Sequence, residues 1–324
     1  MRNLFIIIGL LIFSTPLYSE KNKDKEHTKL IERYDVPLSV RQFTGAENRK
    51  QFWSDLVIDN PRLQKLNKDI SKNKKLEKTA LKNVAAISIF NAENDPRVVH
   101  EVDSVMGTIL DRIGLSPDVC RIYLYDDDRV GASTALDNDG KFSILLNRGL
   151  VTAVNGDYDM LTAAIVHQIA HGLLSHHLTT EYAIAKKIKK NEMWAGAAIG
   201  FGGGFGLIGG ALIGGAAGAL IKAPKEGLHQ SLEDMSNHDI FILYRYDKRC
   251  ETEADLVAYR FMDQIEGKGD KYIQLLDIIR KTQIFENTLP YSPNEIYDRI
   301  LLLEFATAHP EITYIPKKKK SNDR

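Results

Sequence analysis

At 324 residues, 44% hydrophobic and 27% charged, the chain has enough apolar content to bury a core, which excludes a disordered or fibrous protein. Its 43 basic and 43 acidic residues cancel, so nothing in the overall charge calls for a nucleic acid or an anionic surface as partner.

The N-terminus carries Arg2, an apolar run over 4–13, then "STPLYSE" and the charged "EKNKDKEH". This order predicts a signal peptide over 1–19, cut near Ser19, and therefore an exported protein. The apolar run is short for a permanent anchor, and no cysteine lies beside the cut to carry a lipid. Residues 20–94 read as a polar linker followed by a helical cover, with one or two exposed helices in the Lys- and Asn-rich stretch 44–83.

"DPRVVHEVDSVMGTILDRIG" begins with Asp95 as a cap and Pro96 at the first helical position. Val98, Val102, Met106, Ile109 and Ile113 keep helical spacing, which predicts a helix from Pro96 with one core face. Residues 121–127 and 142–149 read as strands joined by a polar turn containing Asn138, Asp139 and Gly140. "NGDYD" supplies turn and cap ahead of the next helix, and helical stretches follow at 238–266, 270–286 and 294–308. Helices, a small sheet and more helices make an α+β domain over 95–310. The tail 311–324, with lysines at 317–320, reads as a solvated basic end. Cys120 and Cys250 are either a disulfide or two buried thiols, and both readings stay open.

The chemistry lies in "MLTAAIVHQIAHGLLSHH", residues 160–177. On a helix, His167 and His171 share a face one turn apart, so both imidazoles can reach one cation. The pair alone is weak evidence. Ala163, Ala164, Ile165, Val166, Ile169, Ala170, Leu173 and Leu174 make the helix apolar nearly all round, however, and buried histidines need partners. A zinc site needs a third protein ligand. "CETEADLVAYRFM", about 80 residues on, offers Glu251 and Asp255 on one helical face. Glu251 is the candidate third ligand, and Asp255 the acceptor for the other ring N–H of a ligating histidine. A solvated acidic face is the competing reading, since Glu253 lies in the same cluster, but Leu256, Val257, Ala258, Phe261 and Met262 mark this helix as packed.

With these residues in order, the chain resembles the HtpX- and BepA-type metallopeptidases of metallopeptidase family forty-eight. These are relatives of the CAAX prenyl proteases within the gluzincin class. The resemblance covers roughly residues 95–305, through "VVHEVDSVMGTIL", "SILLNRGLV", "HQIAHGLLSHH", "ETEADLVAYRFM" and "YSPNEIYDRILLLE". It implies a mainly helical α+β gluzincin-type domain with a small sheet beside the histidine helix. It also implies one zinc ion held by His167, His171 and Glu251, with Asp255 and His176 behind them. Arg299 would lie near the substrate cleft, and the function would be that of an envelope endopeptidase acting on misfolded or assembling proteins. The family's Asn–Ala–Phe stretch is represented only by "STAL" at Ser133, and its His–Pro by Ser292–Pro293.

One position breaks the pattern. The glutamate that should follow His167 is Gln168. In zinc peptidases that glutamate takes a proton from the attacking water and passes it to the leaving amine. A carboxamide can hydrogen-bond the water but cannot take the proton. Three readings follow: a natural relative that hydrolyses poorly or not at all, an active enzyme altered to trap substrate, or substitution of the base by Glu253 or Glu181. The changes at Ser133 and Ser292 favour the first. A non-catalytic pseudopeptidase that binds or chaperones peptides is the alternative function.

The glycine-rich tract 195–221 carries no charge. A single membrane crossing there would put Glu251 across the bilayer from His167 and His171, and two crossings need about 20 residues each. Gly202, Gly206, Gly210, Gly214 and Gly218 recur every fourth residue, a stripe suited to close helix contact. The favoured reading is contact with a membrane surface or partner protein; a flexible loop over the cleft is the other.

Overall fold

The computed structural model describes residues 49–58, 60–88, 95–101, 105–115, 118–136, 142–197, 246, 248–286 and 291–308. The expected signal peptide, residues 20–48 of the expected linker and cover, the basic tail and all but the first residues of the glycine-rich tract lie outside them.

Three helices lead: α1 (Arg49–Ile58), α2 (Pro61–Lys72) and α3 (Lys74–Ser88). The expectation of exposed helices fails for α1, whose Phe52, Trp53 and Leu56 enter the main core. Trp53 stacks on Phe261 at 5.4 Å and donates Nε1–H to the Ile113 carbonyl at 2.8 Å. A buried indole needs such an acceptor. Asn60 caps α2, its side chain accepting from the Leu63 amide at 2.8 Å, with Pro61 at the first helical position. Leu63, Leu66 and Ile70 of α2 and Leu76 and Ala80 of α3 form a satellite cluster with Tyr182 and Ala185.

The helix predicted from Pro96 is displaced. Residues Val98–Glu101 form strand β1, and helix α4 (Val105–Ile113) starts later. Asp95 caps a turn instead: its carboxylate accepts from the Arg97 amide at 3.0 Å and from the Tyr125 hydroxyl at 2.5 Å. Val98 and Val99 are β-branched and find a partner strand in β2 (Cys120–Tyr125), paired antiparallel. Ile109 and Ile113 are buried as the spacing predicts.

Strands β3 (Ala132–Leu136) and β4 (Phe142–Asn147) complete a four-stranded mixed sheet of order β1-β2-β4-β3. The strands expected at 121–127 and 142–149 exist, but they run parallel, and the segment between them contributes β3, paired antiparallel to β4. β3 is thus an edge strand. The sheet rests on helix α6 (Tyr158–Leu173), which follows the short α5 (Arg148–Ala153). Asp157 caps α6, accepting from the Asp159 and Met160 amides.

Every position of α6 from Met160 to His171 is buried. Gly172 sits over the Phe142 ring, where a Cβ would fall 2.7 Å from ring carbons. After α6, Ser175 takes a positive φ of 51° and turns the chain into α7 (His176–Ala197), bringing His176 back towards His171. Helix α8 (Lys248–Arg260) passes through a π turn at Phe261–Ile265, and α9 (Gly269–Glu286) and α10 (Pro293–Ala308) follow. Ser292 and Glu295 start α10 with a reciprocal capping box. Helices α8 and α9 both pack on α6. The fold is α+β, mainly helical, with its core between the sheet and these helices. Cys120 and Cys250 are both buried thiols, not a disulfide. Among the described residues no helix is long and apolar enough to cross a membrane.

Candidate metal centre

Helix α6 presents His167 and His171 one turn apart, and α8 delivers Glu251 against them; all three are buried. His167 Nε2 lies 3.0 Å from His171 Nε2 and 3.6 Å from Glu251 Oε2, and His171 Nε2 lies 3.8 Å from Glu251 Oε1. Ligands around a tetrahedral zinc at about 2.05 Å stand about 3.3 Å apart. The three donor atoms already form such a triangle, so the residues fit the ion.

Each ligand is held from behind. Asp255, one turn after Glu251, places Oδ1 3.2 Å from His167 Nδ1. The Tyr272 hydroxyl donates to the same carboxylate at 2.6 Å and lies 2.8 Å from His167 Nδ1. Arg299 grips Asp255 with two bonds of 2.6 Å and stands 3.3 Å from Glu251 Oε2. The Tyr291 hydroxyl donates to Glu251 Oε1 at 2.5 Å. His171 stacks against Tyr246 at 4.0 Å between centroids, and its Nδ1 meets His176 Nδ1 at 2.8 Å.

Burial would raise the pKa of Asp255, but the Arg299 charge and the His167 hydrogen bond hold it far below the carboxylate range. Burial likewise opposes ionised Glu251, and Arg299 and His167 outweigh it. Burial pushes His171 well below the ordinary imidazole value, assisted by the neighbouring His167 and His176. His167 is the exception: its carboxylate partners Asp255 and Glu251 raise it despite burial.

The cleft over these ligands is walled by β3 on one side and by Leu275, Leu276 and Ile279 of α9 on the other. Ser133 lines it, but its buried Oγ has no hydrogen-bond partner among the described residues. Arg299 also lines the cleft, with its guanidinium taken up by Asp255 and Glu251.

Gln168 is bound to the edge strand. Its Nε2 donates to the Ala132 carbonyl at 3.1 Å, and the Thr134 hydroxyl sits 2.8 Å from both its Oε1 and its backbone carbonyl. Neither carboxylate considered as a substitute base lines the cleft. Glu253 is engaged by His176, Asn60 and Arg62, and Glu181 accepts from Asn83 at 3.1 Å. Substitution by Glu253 or Glu181 is thereby overturned, as is the reading of Glu253 as part of a solvated face: it is 4% exposed.

A zinc-type ligand set on a helix, with a glutamate from a second helix and a carboxylate behind it, lies within a segment matched by the model for Peptidase family M48, residues 96–314. The chain belongs to peptidase family M48. No curated protein and no solved structure is significantly similar to it. The family is one of zinc metallopeptidases, in keeping with the buried His167, His171 and Glu251.

Tyr272, Tyr291, Tyr246, Thr134, Asn60 and Arg62 were not legible as site residues. Each lies far in sequence from the residues it supports, and although Tyr291 and Thr134 fall in stretches that carry the resemblance, nothing there indicates their partners. Glu253 had a signal in the E-x-E-A-D spacing, without an indication of its partner.

Proposed function

We propose that this member of the family is an exported protein of the HtpX/BepA type that engages misfolded or assembling polypeptide at its zinc site and cuts it poorly. The observation that carries the proposal is the state of Gln168. Its carboxamide is bound to β3 through both ends, and among the described residues the only carboxylate lining the cleft is Glu251, a candidate metal ligand. Zinc held by His167, His171 and Glu251 would polarise a peptide carbonyl and acidify the attacking water. The chain's own residues then have to orient the ligands and move a proton. Asp255, Tyr272, Arg299 and Tyr291 supply the first. Gln168 does not supply the second, because a carboxamide takes no proton near neutral pH.

Substrate binding needs only the cleft and the edge strand β3 that walls it, so binding survives where turnover falls. The expected export rests on the N-terminal pattern Arg2, the apolar run over 4–13 and Ser19. The charge-free glycine tract supports a contact with a membrane surface or a partner protein. The pseudopeptidase reading, a purely binding or chaperone role, is the limit in which turnover is zero.

The test is zinc-loaded full chain mixed with fluorescent unfolded casein, beside the Gln168→Glu variant, with binding read by anisotropy and cutting by fragment release. Both forms are expected to bind, and the Glu form to cut roughly 10²–10⁴-fold faster, the usual worth of general acid–base catalysis. Equal cutting by the two forms would overturn the proposal.

A further inference from the structure

The metal centre reaches beyond the family segment. Glu253 lies two residues after the ligand Glu251 on α8 and is turned away from the cleft, with its Oε2 3.2 Å from His176 Nε2. His176 Nδ1 in turn meets His171 Nδ1 at 2.8 Å, while His171 Nε2 faces the other ligands. A carboxylate only accepts hydrogen bonds, so His176 must carry its proton on Nε2. One proton can lie between the two facing Nδ1 atoms. With neutral His176 already protonated at Nε2, that proton belongs to His171. His171 Nε2 is then left with a bare lone pair, the form a metal requires.

What holds Glu253 is the N-terminal part of the chain. The Asn60 amide donates to Glu253 Oε1 at 2.6 Å, and Arg62 Nε donates to Oε2. Arg62 also donates to the Thr179 hydroxyl at 2.5 Å and to the Leu174 carbonyl at 2.7 Å, bridging the end of α6 and the start of α7. Asn60 and Arg62 lie outside residues 96–314.

We infer that Asn60 and Arg62 are positioning residues of the metal centre. By holding Glu253 against His176 they fix the tautomer in which His171 offers Nε2 to the ion. The N-terminal helices are then a working part of the site rather than a detachable cover. The inference rests on the metal-site reading above.

Two variants keep the fold and break the relay. Glu253→Gln preserves shape but has one carbonyl oxygen in place of two. Asn60, whose own oxygen is held by the Leu63 amide, keeps that oxygen at the Oε1 place. The NH₂ then stands at the Oε2 place, releases Arg62 Nε to its other acceptors and faces His176 Nε2. His176 Nε2 must then accept, which reverses the proton pattern and leaves His171 protonated on Nε2. Asn60→Ser keeps the cap of α2, since serine caps as asparagine does, and removes only the bond to Glu253.

The measurement is ¹⁵N NMR of the histidine tautomers in the metal-free full chain, with zinc affinity by chelator competition. The expected result is His171 protonated on Nδ1 in the unaltered chain and on Nε2 in Glu253→Gln. Zinc Kd should be about 10–100-fold weaker in Glu253→Gln, the usual effect of losing an outer partner of a ligand, and weaker in Asn60→Ser. Unchanged tautomers, with zinc Kd within twofold across all three proteins, would overturn the inference alone. Failure of the unaltered chain to bind zinc would overturn the metal-site reading and this inference with it.

Discussion

Arg299→Ala tests how the ligand shell is supported. Arg299 is 8% exposed and Asp255 only 1%. Their two bonds of 2.6 Å form the bidentate pair that guanidinium geometry favours. Removing Arg299 leaves Asp255 buried among Tyr272 and His167 without its cation, and leaves Glu251 without the charge 3.3 Å away. Breaking a buried pair from one side costs about 3–5 kcal/mol. Zinc affinity should fall with it, because Asp255 orients His167, by roughly 10–100-fold. Arg299→Lys should lie between, since an ammonium keeps the charge but cannot make both bonds. The assay is urea unfolding of the metal-free chain, paired with zinc competition. A loss below about 1 kcal/mol for Arg299→Ala, with unchanged zinc Kd, would refute the reasoning that Asp255 depends on Arg299.

The Gln168→Glu variant, expected to gain activity, should also lose stability, by about 1–2 kcal/mol in thermal or urea melts. Its carboxylate cannot donate to the Ala132 carbonyl, 3.1 Å from Nε2 in the native chain. An unchanged melt would mean that this bond contributes nothing. His177 should make the chain acid-sensitive. Burial, aided by neighbouring His176, lowers its pKa to about 3, whereas the unfolded value is about 6.5. Below that unfolded value the unfolded chain binds a proton that the folded chain refuses, so stability falls as pH drops from about 6.5 towards 3, by an upper bound of roughly 4–5 kcal/mol. His177→Gln should show a shallower loss over that window in pH-dependent urea melts, and equal slopes would contradict the assignment.

The central site was legible because its geometry is local. A four-residue step on a helix puts His167 beside His171 and Glu251 beside Asp255 whatever the rest of the fold does, and the apolar neighbours announced burial. The strands were less legible. Val98, Val102 and Met106 satisfy helical spacing, yet β1 forms because β2 offers a partner over Val98–Glu101, a contact that no local pattern records. Strand β3 was missed for the same reason: its ladder comes from β4, and its "ASTAL" has no strong alternation. Phe52 and Trp53 looked scattered along a polar helix until their partners, Ile113 and Phe261, came from far along the chain. Arg299 was placed at the cleft by resemblance. It does line the cleft, but which carboxylates occupy its guanidinium was set by the packing of α10 against α8.

The most direct test is metal analysis of the purified full chain after chelation and reloading, beside His171→Ala and Glu251→Ala. The prediction is one zinc per chain, retained in Gln168→Glu and lost in both ligand variants. Absence of zinc from the unaltered chain, or retention in both ligand variants, would contradict a metal centre built from His167, His171 and Glu251.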